Sequence, residues 1–358
     1  GYLKTPKADS KLAFPPFTGN VRLRGRNLSR FARWLDPSYS KTALAVDGAF
    51  GLDGAIEFSS EMVAFRNARG KIRGTRFSGS IEQDRTPAGE LALALKSTAV
   101  DLTPFIADTR ALGDLIRRWT LPHSRTAEGS QASRLANVNL ELGRVQVGQT
   151  SFADVVVDVR SDGPRLDIHK ASFLSAAGLQ VEVEGNTTRG DIRNAGNIRF
   201  VARAPSEAAF NELVNLTGFQ PAESTRTRLS GTTMPLHLAG SVRFGQADDP
   251  AIRARLDGTL AGNPTVARIR IEGDAPDLGA RAWNVSADMT VADTAATLAQ
   301  LGWGATSREK SSNGRLIAYA VGTPGDGLKT TIGLKSAHLN ATYEGAIDAS
   351  TDGLRIDG

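Results

Sequence analysis

His123, His169, His237 and His338 are the residues most able to hold a metal or move a proton, and none has a second ligand at metal spacing. His123 lies in a polar stretch, and the other three alternate with apolar residues, the pattern of an imidazole on the solvent side of a strand. Asp248-Asp249 precedes Pro250 in a turn-like segment, and the remaining acids are spread singly. A paired-carboxylate glycosidase site would have to be assembled across strands. Tryptophan usually lines a sugar cleft, and three of the four here, Trp34, Trp119 and Trp303, sit in or beside helix-like segments as packing anchors. There is no Gly-x-Ser-x-Gly elbow, phosphate-binding Gly-x-x-x-x-Gly-Lys-Ser/Thr loop or His-Glu-x-x-His helix. Gly302-Trp-Gly304 begins like a dinucleotide turn, but Ser307 stands where the third glycine belongs, and the segment ends a helix. With no cysteine, thiolate metal sites, disulfides and a thiol nucleophile are excluded. The expectation is a protein without enzymatic activity, cofactor or metal.

The elements that would carry any site are read from the glycines, 37 in 358 residues. Many end short alternating runs: Val21-Arg-Leu-Arg-Gly25, Lys71-Ile-Arg-Gly74, Val181-Glu-Val-Glu-Gly185, Leu236-His-Leu-Ala-Gly240, Ile269-Arg-Ile-Glu-Gly273 and Leu354-Arg-Ile-Asp-Gly358. Alternation at period two predicts strands with one buried face, and the glycines are expected to supply the positive φ of turns or bulges. Four segments break the rhythm with helical spacing: Leu28 to Leu35 after Asn27, Thr103 to Trp119, a segment capped by Ser206, and one capped by Asp293. A polar loop follows each, at 36–42, 120–134, 217–230 and 304–314. New strands then end at Gly48, Gly143, Gly240 and Gly322, so helix ends and strand-ending glycines share a period of about 90 residues.

The predicted fold is mainly β: an elongated, curled antiparallel sheet of repeating β-groove units, each of about five strands plus a short helix or loop. About twenty strands at ~4.8 Å would extend ~95 Å. The expected organisation is N-terminal repeats over 1–120 ending in a helix, a polar linker at 121–135, and C-terminal repeats over 136–358 with breaks near 218–231 and 303–314.

Basic residues also keep parity. Arg22, Arg24 and Arg26 share one face; so do Arg69, Lys71 and Arg73, then Arg253 and Arg255, then Arg268 and Arg270. The plain reading is a solvated outer face; the sharper one is attraction to anionic headgroups. Nucleic acid is the weaker partner, because 38 acidic residues nearly balance 43 basic ones and no strand carries a stacking aromatic pair.

Three stretches carry a family resemblance: Val100-Asp-Leu-Thr-Pro-Phe-Ile106; Leu140-Glu-Leu-Gly-Arg-Val-Gln-Val147 leading into Phe152-Ala-Asp-Val-Val-Val-Asp-Val159; and Leu166-Asp-Ile-His-Lys-Ala-Ser-Phe173 followed by Val181-Glu-Val-Glu-Gly185. They resemble the AsmA family of envelope proteins, most densely between about residues 95 and 190. The resemblance implies an inner-membrane anchor, a periplasmic location in a Gram-negative bacterium, and a repeating β-groove that carries phospholipid between membranes in support of outer-membrane biogenesis. It also implies outer-membrane or other envelope proteins as partners. The chain opens at Gly1 rather than Met, and we read it as a segment whose anchor preceded it.

On that implication the groove lining is the apolar parity of the strands: Val21, Leu23, Leu44, Val46, Ile56, Phe58, Val138, Leu140, Leu142, Val181, Val183, Leu236, Leu238, Ile269 and Ile271. The same residues could face one another inside a closed sandwich or barrel, and periodicity does not separate the two. The helices are expected to cover the groove rim; alternatively Phe105, Ile106, Leu115 and Trp119, beside Arg117 and Arg118, would touch a membrane or partner helix. Two other functions stand beside lipid transfer. One is a scaffold that affects outer-membrane protein assembly or targeting without carrying lipid; the other is a carbohydrate-active β protein.

Overall fold

In the computed structural model, residues 16–27, 49–72, 74–84, 89–103, 135–162, 164–188, 195–217, 233–245, 249, 251–273, 280–300, 312–323, 326–350 and 353–357 are described. The first predicted helix and the one over Thr103 to Trp119 lie almost wholly outside them, as do the loops at 121–134, 218–231 and 303–311.

Nineteen strands form one sheet. They are β1 (Phe17–Gly25), β2 (Phe50–Phe58), β3 (Met62–Ile72), β4 (Thr75–Asp84), β5 (Leu91–Ser97), β6 (Val100–Asp101), β7 (Ala136–Val147), β8 (Thr150–Asp162), β9 (Arg165–Ser175), β10 (Gln180–Thr188), β11 (Ala195–Ala204), β12 (Leu236–Phe244), β13 (Ile252–Leu260), β14 (Asn263–Glu272), β15 (Ala282–Val291), β16 (Gly314–Thr323), β17 (Gly327–Ser336), β18 (Asn340–Ser350) and β19 (Gly353–Asp357). Two helices occur among the described residues, α1 (Glu207–Thr217) and α2 (Thr294–Gln300). Neighbours in sequence pair antiparallel throughout, except that β5 and β6 both lie parallel to β7 along one of its edges. The nineteen strands therefore fill eighteen positions, about 80 Å at ~4.8 Å each. The sheet is long, open and curled. Among the described residues β1 pairs only with β2 and β19 only with β18.

Two of the predicted helix caps, Ser206 and Asp293, are in place. The Ser206 hydroxyl accepts from Ala209 N–H at 3.3 Å, and Asp293 accepts from Ala296 N–H at 3.0 Å. Glu207 follows in the first turn of α1, where a carboxylate suits the positive helix end. The long excursions follow β1, β6, β11 and β15. Antiparallel order, with its one parallel step, places all four departures at the same long rim of the sheet.

That rim holds the tightest packing. Leu179, Leu334, Val147 and Val291, the largest fully buried side chains, all lie along it. Leu142, Val145, Val147 and Phe152 form one cluster, extended by Leu95, Val100 and Phe173. The Phe152 and Phe173 rings meet edge to face at 5.0 Å. α1 lays Ala209, Phe210 and Val214 on Leu179, Ala204 and Leu236, with Leu238 and Leu260 against the same cluster.

The glycines have three uses, and two differ from expectation. Gly74 and Gly273 have φ of +93° and +102° and end strands at turns, as predicted. Gly240 lies inside β12, directly opposite Phe200, whose ring sits 2.6 Å from where a Cβ would be. Phe50 over Gly25, Phe77 over Gly70 and Phe244 over Gly196 repeat the arrangement, each ring filling the space a cross-strand partner leaves empty. Elsewhere the strands approach too closely for any side chain: a Cβ on Gly79 would lie 2.0 Å from the Ala94 carbonyl oxygen, and one on Gly258 would lie 1.9 Å from that of His237.

This packing separates glycines that look alike in sequence. Gly79→Ala and Gly258→Ala must push backbone, and each should cost roughly 1 to 3 kcal/mol. Gly51→Ala and Gly333→Ala meet nothing within 4 Å and should be neutral or stabilising. Chemical denaturation of the four variants checks the ranking; equal effects would contradict the close strand approach.

Candidate functional site

Directly opposed residues of paired strands share a face, so the register carries one face from β1 to β19. Following it, Val21 and Leu23 lie with Ile56 and Phe58 on β1 and β2. Through β3, β4 and β5 the same face reaches Val138, Leu140 and Leu142 on β7. Through β8 and β9 it reaches Val181 and Val183, and through β11 it reaches Leu236 and Leu238. Ile269 and Ile271 follow on β14. All thirteen described lining candidates are thus on one face of one sheet; Leu44 and Val46 lie outside the described residues.

Bulges keep the parity true where simple alternation would fail. Asn67 and Asp154 take φ of +51°, a conformation that short polar side chains tolerate, and each sits beside a register shift. In β7, Gly143 and Arg144 are both exposed, after which Val145 and Val147 rejoin Leu142 in one cluster. Strict alternation from Leu142 would have sent these two valines outward. Other members not singled out from the sequence include Leu93, Val157, Phe200, Leu256, Val285 and Ile332. Their alternating runs were legible, but their common face was not.

Away from the bulge positions, the apolar face carries no Asp, Glu, Lys, Arg or His among the described residues. It is also only half covered. Leu142, Leu236 and Ile271 are buried at 8%, 6% and 7% exposure, whereas the other ten candidates keep an intermediate share of their surface. On the same face Ile81 is 45% exposed and Phe17 52%. A closed sandwich would bury such residues almost completely. α1 shields the face near one rim over β10 to β13. Ile198 and Val242, nearer the other rim on β11 and β12, are not part of its cluster, and neither is Ile269 on β14.

The opposite face is ionic. Arg66 bridges Glu57 at 2.6 Å and Glu82 at 2.9 Å, and Lys96 meets Glu141 at 2.7 Å. Arg253 and Arg270 stand opposite one another and share Asp249 between them. Arg255 holds Asp257, and Arg315 holds Asp288. Most basic runs seen in the sequence therefore have acidic company on a solvated surface. His169 and His237 are exposed on this face, His169 at 3.4 Å from Asp158, and His338 is exposed in the turn after β17. No cluster of three potential metal ligands occurs among the described residues. No described helix is long and apolar enough to cross a membrane.

No protein-family model, curated protein or solved structure matches the chain. Geometry alone therefore defines the site: a charge-free apolar face, backed by an ionic one and roofed in part by α1.

The ionic face has a pH signature. Hydrogen bonding from Arg66 holds Glu82 below the usual carboxylate range; the guanidinium of Arg255 does the same for Asp257, and that of Arg315 for Asp288. Because these folded-state values are depressed, their stabilisation is complete above the unfolded-state value of about 4 and is lost as pH falls from there through the lower folded-state values. Thermal melting should hold steady from about pH 5 to 7 and drop below about 4. Glu82→Gln should lower the melting temperature at neutral pH and flatten that acid drop; an unchanged acid slope would show that the Arg66 cluster contributes nothing.

Proposed function

We propose that this chain is the sheet segment of an AsmA-like envelope protein that carries phospholipid along its apolar face between inner and outer membrane. One observation carries the reading: an apolar face without formal charge continues over eighteen strand positions and stays largely half exposed. Soluble monomers rarely leave a contiguous apolar surface beyond a few hundred Å² uncovered, so an apolar occupant is expected. An acyl chain is such an occupant. Burying its methylenes is worth roughly 0.8 kcal/mol each, or about 10 kcal/mol gross for a long chain before ordering costs.

The lining has no localised polar pocket, so neighbouring positions are nearly equal in energy and a chain can slide. Headgroups then travel in water beyond the rim of short turns, opposite the rim where α1 packs. In this reading the protein works in the periplasm, anchored to the inner membrane through a segment beyond this chain, and it uses no cofactor and no nucleic acid. The paired outer arginines support the last point, since nucleic-acid binding needs cations free to replace phosphate counterions.

Native mass spectrometry of the purified chain with lipid extraction tests the proposal. Phospholipid should co-purify in several copies. Val183→Asp and Ile269→Asp, placed on the half-covered part of the face away from the α1 cluster, should remove most of it while circular dichroism and melting stay near wild type. A lipid-free wild-type mass, or equal lipid content in the two folded variants, would overturn the groove reading. Unfolding of both variants would assign these residues to a closed core instead.

A further inference from the structure

The outer face is mainly polar or small among the described residues, and one strand departs from this. On β16 three successive outward residues are apolar: Ile317, Tyr319 and Val321. Elsewhere, outward apolar residues larger than alanine stand singly among the described residues, as Leu174 and Val201 do, apart from Pro264 beside Val266 on β14. Tyr319 is 53% exposed and Val321 51%. The same strand turns only Gly314, Leu316, Ala318, Ala320 and Gly322 toward the apolar face, so β16 carries its bulk on the wrong side for a groove.

The neighbouring strands leave this stripe standing proud. Ser286 and Thr331 lie opposite Tyr319, Asp288 and Gly333 opposite Ile317, and Asn284 and Lys329 opposite Val321. Above Gly333, where a Cβ would meet nothing within 4 Å, a hollow of about 550 Å³ opens, lined by Arg315, Ile317, Lys335 and Asn340 among others. The charges around it are mixed but lean basic. Arg315 is neutralised by Asp288, Glu344 lies two strands from the stripe, and Lys329 and Lys335 have no ion-pair partner among the described residues.

We propose that the outer face of β16 is a docking surface for a partner-protein segment that carries apolar anchors flanked by carboxylates. Its anchors pack on the Tyr319 ring and into the hollow over Gly333, and its acids meet Lys329 and Lys335. An aromatic ridge beside a preformed hollow with basic flanks is the arrangement in which few residues dominate binding. The surface is independent of lipid carriage, because it lies on the opposite side of the sheet.

Short random peptides displayed on phage, selected on the whole chain and counter-selected on the double variant Tyr319→Ser with Val321→Thr, provide the test. The enriched sequences should share at least two apolar residues with acidic neighbours. A synthetic consensus peptide measured by calorimetry should bind the double variant at least about tenfold more weakly. Lys329→Gln with Lys335→Gln should lose several-fold and abolish most of the salt dependence. Gly333→Val, which fills the hollow and leaves the stripe intact, should also lose binding and carries the test if the double variant melts early. No consensus, a basic consensus, or equal affinity for wild type and variants would overturn the proposal. A concentration-dependent dimer lost in the double variant would assign the face to a second copy of this chain instead.

Discussion

Everything in this molecule depends on cross-strand register. An antiparallel pair places opposed residues on the same side, so the parity set where Val21 meets Gly54 is handed from strand to strand to the far edge. A slip of one residue anywhere would turn arginines toward the apolar face and leucines toward water. The ionic face makes such slips costly, since Arg66 reaches both Glu57 and Glu82 only when β2, β3 and β4 keep their register. Surface ion pairs of this kind add little stability each; their larger effect here is to penalise alternatives.

Among the described residues only two short helices stand outside this long open sheet, so its own side chains must do much of the work of holding it. Phenylalanine over an opposed glycine recurs four times on the apolar face and covers backbone with the partner's ring. At Gly79 and Gly258 the absence of a side chain instead lets neighbouring backbone close in. The long-loop rim is packed like a core, while the middle of the face stays half covered. This division leaves an apolar surface inside a stable fold, and the proposed lipid path needs that combination.

Much of this was legible in the chain. Alternation at Val181-Glu-Val-Glu and Ile269-Arg-Ile-Glu marks strands with one polar and one apolar face, because period two is a property of the extended backbone itself. Ser206 and Asp293 were readable as caps because capping is local. The role of Gly240 was not readable, since Phe200 lies 40 positions away and only pairing brings them together. The shift after Leu142 was hidden for a similar reason: Gly143, Arg144 and Asp154 act together across two strands, and neither strand alone reveals the bulge. The stripe on β16 escaped notice because Leu316 to Val321 is continuously apolar, and a run without alternation does not say which side faces water.

The amino-acid sequence by itself determined that the protein is a β-sheet with segregated faces, interrupted by capped helices, and without cysteine or clustered histidine. These are consequences of composition and short-range spacing. Only the tertiary structure decided that the strands join into one open sheet, that thirteen scattered apolar residues share a single face, and that β16 turns its bulk outward. Those are facts of long-range pairing, and an alternating pattern is equally compatible with a closed barrel, a sandwich or a trough until each strand has its neighbour.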